Sequence, residues 1–149
     1  MSDEVTKVAL ITGACGGIGK ALVYKYVSQG VSLAIADKSL KEVELLVDEV
    51  VSMGGTAKAF SGDLTEQSYC DNLPNDVKKE FGRIDILVNN AGLMRRGAIT
   101  DTTDEDYNLS MSVNVEAPFR IVRAAIPLME ASGGGAIVNT SSCWGINPG

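Results

Sequence analysis

Apolar residues follow two alternating patterns along the chain. Five short runs rich in apolar and β-branched residues predict buried strands, and the longer stretches between them repeat apolar residues at helical spacing. The predicted strands cover residues 7–12, 31–36, 57–60, 84–89 and 136–140, of which 57–60 carries the weakest pattern. The chain is therefore predicted to alternate strand and helix along its length.

Capping residues and helix breakers set the bounds of the first three predicted helices. Apolar residues between positions 18 and 27 define the first helix, and Gly30 ends it. Ser39 is placed to cap the second helix, which stops at the glycine pair 54–55. Thr65 is predicted to cap a third helix that runs to about residue 81 and is interrupted near Pro74.

A long fourth helix follows a loop at residues 90–102. Thr103 and Asp106 have the spacing of a capping box, and the apolar pattern then continues to about Met129. Pro118 is expected to bend this helix. Three consecutive glycines at 133–135 end it ahead of the fifth predicted strand.

The alternation of strands and helices predicts the fold class. Consecutive β-α units form a parallel sheet with helices on both faces, and right-handed crossovers leave few topologies. We expect an α/β, doubly wound, Rossmann-like fold with the strand order 3-2-1-4-5. At 149 residues, the chain has the length of one domain.

Composition and charge exclude several function classes. With 45% apolar and 21% charged residues, the chain has the balance of a globular protein, and its apolar runs are too short to span a membrane. The net charge of −6 disfavours a nucleic-acid partner. The N-terminus lacks a secretory pattern, and three widely separated cysteines form no disulfide framework, so a cytoplasmic location is expected.

The chain contains no histidine. This excludes a Ser-His-Asp triad, a Cys-His dyad and a histidine-ligated zinc site within these residues. We expect no metal site.

A glycine-rich loop joins the first predicted strand to the first helix. A diphosphate needs bare backbone N–H groups and close approach at a helix N-terminus, and glycines at this position provide both. The spacing is GxxxGxG, which differs from the standard GxGxxG fingerprint, and a glycine-rich turn that binds nothing is the alternative. The predicted cofactor contacts in this loop are Gly13, Cys15, Gly17, Ile18 and Gly19.

Asp37 ends the second predicted strand, 18 residues after Gly19. A carboxylate at about this distance is placed to accept hydrogen bonds from an adenosine ribose, and it would repel a 2′-phosphate. NAD is therefore expected as the cofactor ahead of NADP, although the neighbouring Lys38 argues the other way. The alternative interpretation makes Asp37 a turn or cap residue.

The reversal of strand order between strands 1 and 4 predicts where a ligand would bind. The carboxyl ends of these strands border a crevice. Asn90, Ala91 and Gly92 follow strand 4 and would form its floor, although Asn90 could instead hold backbone groups of a turn. Asp63 and Leu64 follow strand 3 and would reach the adenine.

Four motifs in order resemble the short-chain dehydrogenase/reductase family over essentially the whole chain. They are TGxxxGIG at 12–19, NNAG at 89–92, Asn114 in the fourth helix and NxSS at 139–142. The resemblance implies NAD(P)-dependent oxidation of an alcohol or reduction of a carbonyl in a small molecule. It further implies that Ser142 positions the substrate oxygen and that Asn114 holds a water in a proton relay.

The family's acid, a tyrosine four residues before a lysine, has no counterpart in the chain. None of Tyr24, Tyr26, Tyr69 and Tyr107 has a lysine four positions later. We therefore expect these 149 residues to be the N-terminal part of a longer enzyme, or a natural truncation, without the family's C-terminal strands and inactive alone.

Two further expectations follow from that interpretation. A bare fifth strand and exposed residues such as Ile121, Val122 and Ile126 would favour association, and the full-length protein is expected to form a homo-oligomer, a dimer or tetramer.

The alternative function is a non-catalytic NAD-binding or interaction module. A sugar-nucleotide epimerase is disfavoured by the glycine spacing and the NNAG motif.

Overall fold

The computed structural model describes residues 6–142, in which strands and helices alternate as the sequence predicts. The strands are β1 (Val8–Thr12), β2 (Ser32–Asp37), β3 (Ala57–Ser61), β4 (Ile86–Asn89) and β5 (Ala136–Asn139). The helices are α1 (Gly17–Val27), α2 (Leu40–Ser52), α3 (Gln67–Phe81), α4 (Asp104–Met111) and α5 (Ala117–Glu130). A short 3₁₀ turn, Ile99–Asp101, precedes α4.

The five strands form one parallel sheet in the order β3-β2-β1-β4-β5, which confirms the predicted doubly wound topology. Thr12 pairs with Ala36 across β1 and β2, and Ile11 pairs with Val88 across β1 and β4. The carboxyl ends of β1, β2 and β4 therefore lie side by side. The chain turns to opposite faces of the sheet on either side of β1, which opens a crevice at that edge.

The two faces of the sheet bury separate apolar cores. The first core packs side chains of α3 and α5, such as Leu73 and Ile121, against Leu10 and Leu87 of the sheet. The second core packs side chains of α1 and α2 against the other face, and its largest members are Ile11, Val23, Leu33, Ile35, Val43, Leu46 and Val50. Burial on both faces explains why β1 and β2 are apolar at nearly every position.

A partly buried ion pair closes the end of the sheet opposite the crevice. Asp85 Oδ2 accepts hydrogen bonds from the backbone N–H of Val8 at 2.9 Å and from Arg83 Nε at 2.7 Å. Arg83 Nη2 lies 2.5 Å from Asp85 Oδ1, which completes a two-pronged contact. The Arg83 guanidinium holds the pKa of the Asp85 carboxyl below its ordinary value.

Two of the predicted helix caps are confirmed and one is wrong. Ser39 Oγ accepts from the backbone N–H of Glu42, and Thr103 Oγ1 accepts from that of Asp106. Thr65 does not cap α3, because both its N–H and its hydroxyl donate to Asp63 Oδ1. Glu66 is the N-cap residue instead.

The predicted interruption of the third helix at Pro74 is also wrong. Helix α3 continues from Gln67 to Phe81 through Pro74. A proline within a helix removes the N–H that would bond to the carbonyl four residues earlier, here that of Cys70. Pro74 is buried in α3, and we attribute the tolerance of this loss to the apolar burial of its ring.

The predicted long fourth helix is divided by a widened, π-type turn at Ser112–Glu116. Pro118 lies at the start of α5, directly after this turn. Because proline has no N–H, the carbonyl of Asn114 cannot receive the ordinary α-helical hydrogen bond. The irregularity therefore begins before the proline, where the sequence analysis placed a simple bend.

Exposure along α5 differs from the expectation at two residues, Ile121 and Val122. Ile121 is buried, with 1% of its surface exposed, because it faces the core between α3 and the sheet. Val122 is partly buried, whereas Ile126 and Val138 are substantially exposed, at 41% and 48%. Across the part of the chain that the structure describes, no helix combines the length and apolar character needed to span a membrane.

Candidate nucleotide-binding site

A cleft of about 690 Å³ opens at the carboxyl edge of the sheet. Its walls contain every residue that the sequence analysis assigned to cofactor binding. These residues are Gly13, Cys15, Gly17, Ile18, Gly19, Asp37, Asp63, Leu64, Asn90, Ala91 and Gly92. The fold thus brings four separate stretches of the chain to one site.

Thr12 joins two of these stretches. Its side chain is buried at the end of β1, and its Oγ1 accepts hydrogen bonds from the backbone N–H groups of Asn90 and Ala91, at 3.1 and 3.2 Å. The same hydroxyl donates to the carbonyl of Val88 at 3.4 Å. The loop after β4 is therefore fixed to the end of β1.

Asn90 strengthens this connection from the opposite side. Its Nδ2 donates to the carbonyl oxygens of Thr12 and Gly13, at 3.2 and 3.1 Å. The Asn90 side chain is thus engaged in holding backbone groups, as the alternative interpretation of this residue proposed. Asn90 borders the cleft at the same time, and its contact with a cofactor stays a prediction.

Two glycines in the loop after β1 are required by close backbone approach. Gly13 has a φ of +62°, and a Cβ at this position would lie 2.7 Å from the Cα of Ala91. A Cβ on Gly19 would lie 2.7 Å from the Cα of Ala14. Gly17 differs from both, because nothing lies within 4 Å of its hypothetical Cβ. The space at Gly17 opens into the cleft, where a bound group could approach the backbone.

No side chain caps the exposed backbone N–H groups at the N-terminus of α1. Its N-cap residue is Gly16, which offers no side-chain acceptor, and the first turn contains no acidic residue. By contrast, side-chain oxygens of Ser39 and Thr103 cap α2 and α4. Uncompensated N–H groups and the helix dipole together favour an anion at the start of α1.

Asp37 lies at the end of β2 and reaches toward the glycine loop. Its Oδ2 accepts from the backbone N–H of Cys15 at 2.9 Å, and its Oδ1 accepts from that of Lys38 at 2.7 Å. Each carboxylate oxygen keeps a lone pair for a further donor. Partial burial and the nearby Asp37 carboxylate raise the pKa of the Cys15 thiol to about 11, so the thiol stays protonated near neutral pH.

Asp63 forms an ion pair across the mouth of the cleft. Its Oδ2 lies 2.6 Å from Lys38 Nζ, while its Oδ1 accepts from the N–H and hydroxyl of Thr65 at 2.9 and 2.8 Å. These contacts, the one from Lys38 foremost, lower the pKa of Asp63 to about 2. The carboxylate is therefore ionised at any pH near neutrality.

Tyr69 supports the segment that carries Asp63. Its hydroxyl donates to the carbonyl of Phe60 at 2.7 Å, and its ring packs so closely on Gly62 that a Cβ there would overlap it. Burial raises the pKa of Tyr69 well above its ordinary value. Tyr69 also borders the cleft, so it belongs to the site as a supporting residue.

The two predicted catalytic residues lie apart from the cleft walls. Both polar atoms of the Asn114 amide are engaged by the backbone of Leu93. Oδ1 accepts from its N–H at 2.8 Å and Nδ2 donates to its carbonyl at 2.7 Å. Asn114 therefore fixes the loop that lines the cleft, and its predicted role in holding a water stays a prediction.

Ser142 is exposed at the end of the segment that follows β5. The strand before it is fastened to β4 by an amide pair, in which Asn89 Nδ2 donates to Asn139 Oδ1 at 2.8 Å. Thr140 N–H also donates to the carbonyl of Asn89 at 2.9 Å. These bonds fix the base of the Ser142 segment beside the cleft loop, and its role toward a substrate oxygen stays a prediction.

Three supporting residues were not predicted from the sequence. Thr12 and Tyr69 act through backbone atoms of other segments, and Thr65 was assigned to a helix cap. The advance signals are that Thr12 opens the TGxxxGIG motif and that Thr65 directly follows residues that were predicted to bind. Within residues 6–142, no group of three or more Cys, Asp or Glu side chains is arranged to hold a metal.

Comparison with known families shows a match over most of the chain. The family model described as short chain dehydrogenase matches residues 7–149.

Individual proteins show the same similarity. An uncharacterized oxidoreductase of Thermotoga maritima is 41% identical over 140 residues, which cover 94% of this chain and 55% of that protein. The cyclohexanol dehydrogenase of an Acinetobacter species is 36% identical over 94% of this chain and 56% of its own length. The chain spans just over half the length of these two curated relatives.

Solved structures share this fold. A metagenomic short-chain oxidoreductase in complex with NADP superposes with a TM-score of 0.91 at 32% identity, covering 97% of this chain and 66% of that one. The complex shows that this similar protein binds NADP.

Proposed function

The chain belongs to the short-chain dehydrogenase family, and we propose that it binds a nicotinamide dinucleotide. The bound cofactor would exchange a hydride with a small alcohol or carbonyl substrate. The observation that carries the proposal is the glycine cradle at the start of α1. Gly13 and Gly19 bring backbone groups together, Gly17 leaves open space, and the helix N-terminus has no side-chain acceptor. This arrangement suits a diphosphate.

The cleft also has the groups that an adenosine needs. Asp37 offers carboxylate lone pairs at the end of β2, and Asp63 and Leu64 border the cleft after β3. A ribose hydroxyl pair would donate to Asp37, whereas a 2′-phosphate would meet its negative charge. The position of Asp37 therefore favours NAD over NADP in our proposal, even though the similar metagenomic protein holds NADP.

The nicotinamide, when bound, supplies the hydride acceptor or donor. The residues of this chain supply the binding and the orientation. Ser142 is proposed to hydrogen-bond the substrate oxygen, and Asn114 is proposed to order the loop at Leu93 and a water beside it. Neither side chain titrates near neutral pH, so the proton donor for the carbonyl is not among them.

Nucleotide binding is tested by isothermal titration calorimetry with NAD⁺, NADH, NADP⁺ and NADPH. We expect binding by the unaltered chain and a clear loss of affinity in Gly17→Ala, because its Cβ would occupy the space intended for the diphosphate. Circular dichroism should show that Gly17→Ala remains folded, since the Cβ meets no protein atom within 4 Å. No heat of binding with any of the four nucleotides would refute the proposal.

Turnover distinguishes an enzyme from a binding module. Oxidation of a panel of small alcohols with NAD⁺, followed by the absorbance of NADH, is the direct assay. The 149 residues alone are expected to show no turnover. In a version extended at the C-terminus, Ser142→Ala should lower turnover without changing NADH affinity, and Ser141→Ala is the matched control at the neighbouring hydroxyl. Tight nucleotide binding without turnover in a version extended at the C-terminus would support the non-catalytic alternative.

Self-association is a further part of the proposal. Val115, Phe119 and Ile126 are large apolar side chains exposed on the π-type turn and α5. Such a patch favours association with a second copy. Analytical ultracentrifugation should show a dimer or larger species, and a monomer at all concentrations would contradict it.

A further inference from the structure

The wall of the cleft that would face an adenosine carries a cation, Lys38, beside the carboxylate of Asp63. Lys38 follows Asp37 at the end of β2, and its ammonium lies 2.6 Å from Asp63 Oδ2. The two segments are aligned by the sheet, because Asp37 pairs with Ser61 and its carbonyl accepts from the N–H of Gly62. Lys38 is 77% exposed and Asp63 is 32% exposed, so the ion pair lies at the cleft surface.

Asp63 is held in position independently of Lys38. Thr65 donates to Oδ1 twice, through its N–H and its hydroxyl, which turns Oδ2 toward the Lys38 ammonium. Tyr69 fixes the backbone just before Asp63 by bonding to Phe60 and packing on Gly62. A fixed acceptor loses less side-chain entropy on pairing than two mobile chains would.

We propose that Asp63 is a specificity-determining residue, which favours NAD over NADP by holding the Lys38 ammonium away from the 2′ position of the adenosine. The inference rests on the proposed nucleotide-binding function. A 2′-phosphate is largely dianionic near pH 7 and needs a cation beside it. In this cleft the phosphate would have to take Lys38 from Asp63 and leave that carboxylate without its partner. Binding of NAD would leave the ion pair between Lys38 and Asp63 intact, since its ribose hydroxyl would donate to Asp37.

Removing the Asp63 charge should therefore release the cation. In Asp63→Asn, the amide oxygen still accepts from Thr65, while the ammonium of Lys38 is free to meet a 2′-phosphate or to neutralise Asp37. Exposed ion pairs are individually weak, so we expect the ratio of NADP⁺ to NAD⁺ affinity to rise by about two- to fivefold. The ratio is the informative quantity, because any lost contact to adenine affects both nucleotides equally.

A double-mutant cycle separates this role from simple charge repulsion. The affinity ratio is measured by calorimetry for the unaltered protein, Asp63→Asn, Lys38→Met and the double variant. If Asp63 acts through Lys38, the gain in Asp63→Asn disappears in the double variant. If the Asp63 charge merely repels the phosphate, the gain persists without Lys38 and the proposal is overturned.

A control variant and a pair of short probes accompany the double-mutant cycle. Glu42→Gln removes a negative charge from the same cleft, and among the described residues Glu42 has no ion pair with Lys38. The ratio of NADP⁺ to NAD⁺ affinity should therefore change less than twofold in this variant. Adenosine 2′,5′-bisphosphate and 5′-AMP serve as short probes that differ only in the 2′-phosphate. They should reproduce the shift seen with the dinucleotides.

The outcomes distinguish this inference from the function on which it rests. If the unaltered protein binds neither NAD⁺ nor NADP⁺, the proposed function fails and the inference fails with it. If the protein binds NAD⁺ and the ratio of NADP⁺ to NAD⁺ affinity is unchanged in Asp63→Asn, only the inference about Asp63 is overturned. A large loss of NADP⁺ affinity in Lys38→Met would also overturn it, because Lys38 would then already serve the phosphate.

Discussion

The carboxylate of Asp37 accepts a hydrogen bond from the backbone N–H of Cys15, at 2.9 Å. This bond joins the end of β2 to the glycine loop after β1. Asp37 therefore has two separable properties in the cleft, a negative charge on the cleft wall and an acceptor that fixes the loop. Substitutions that remove one property or both should have different effects.

Asp37→Asn should narrow the proposed preference for NAD over NADP while leaving NAD affinity within about threefold. The amide oxygen can still accept from Cys15, but the charge that repels a 2′-phosphate is gone. Asp37→Ala should narrow the proposed preference and also weaken the binding of both nucleotides by about fivefold, because the loop loses its anchor, worth about 1 kcal/mol. Calorimetry with NAD⁺ and NADP⁺ measures both effects. Equal losses in the two variants would show that the bond to Cys15 has no role in ordering the loop.

Glycine substitutions should separate stability from binding. Gly19→Ala should lower the free energy of unfolding by about 2 kcal/mol or more, since its Cβ would meet backbone atoms of Ala14 at 2.7 Å. Gly13→Ala should be similarly destabilised, because it also forces a side chain into a φ of +62°. Urea denaturation followed by circular dichroism measures the change. Gly17→Ala is the control and should retain stability within about 0.5 kcal/mol.

The ion pair at the opposite edge of the sheet should make stability depend on pH. Arg83 lowers the pKa of Asp85 below its ordinary value of 3.8, so the carboxylate stabilises the folded state above that pH. The contribution is lost as the pH falls below 3.8 and through the lower pKa of the folded state.

Asp85→Asn should therefore be less stable than the unaltered chain by about 1–3 kcal/mol at pH 7. The difference should shrink only below pH 3.8. Urea denaturation at a series of pH values tests this expectation. Asp48→Asn on α2 is the control, because no ion pair involving Asp48 occurs between residues 6 and 142, and a pH-independent difference for Asp85→Asn would contradict the linkage.

Asn114 should control the order of the cleft loop. Asn114→Ala removes both bonds to Leu93, whereas Asn114→Asp keeps an acceptor for the Leu93 N–H and loses the donor to its carbonyl. We expect hydrogen exchange at residues 91–94 to accelerate about tenfold in the alanine variant and less in the aspartate variant. Asn108→Ala, on exposed α4, should leave exchange in this loop unchanged.

The strand order and the cleft residues were predictable from the sequence because they depend on short, local signals. The continuous apolar runs of β1 and β2 indicate strands that are buried on both faces. Glycines at positions 13 and 19 allow the close backbone contacts that a side chain would prevent. Parallel β-α units then bring the carboxyl ends of the strands together. These requirements hold whatever the neighbouring side chains are.

The errors concern residues whose partner is decided by tertiary structure. Thr65 has the local appearance of a helix cap, yet Asp63 is two residues away and offers a charged acceptor. Pro74 appears as a breaker, yet its ring is buried in a continuous helix. The pairing of Lys38 with Asp63 likewise joins two strands that neighbour each other only in the folded sheet.

The π-type turn at Ser112–Glu116 offsets the rotational phase of the helices on either side of it. An α-helix advances about 100° per residue, so one extra residue in a turn rotates everything after it by about that angle. The offset allows Leu109 on α4 to face the cleft while Ile121 on α5 faces the sheet. Deleting one residue from the turn would restore a continuous helix and would turn one of these two side chains away from its neighbours. The length of this segment, as much as its composition, therefore determines whether the cleft and the core can form together.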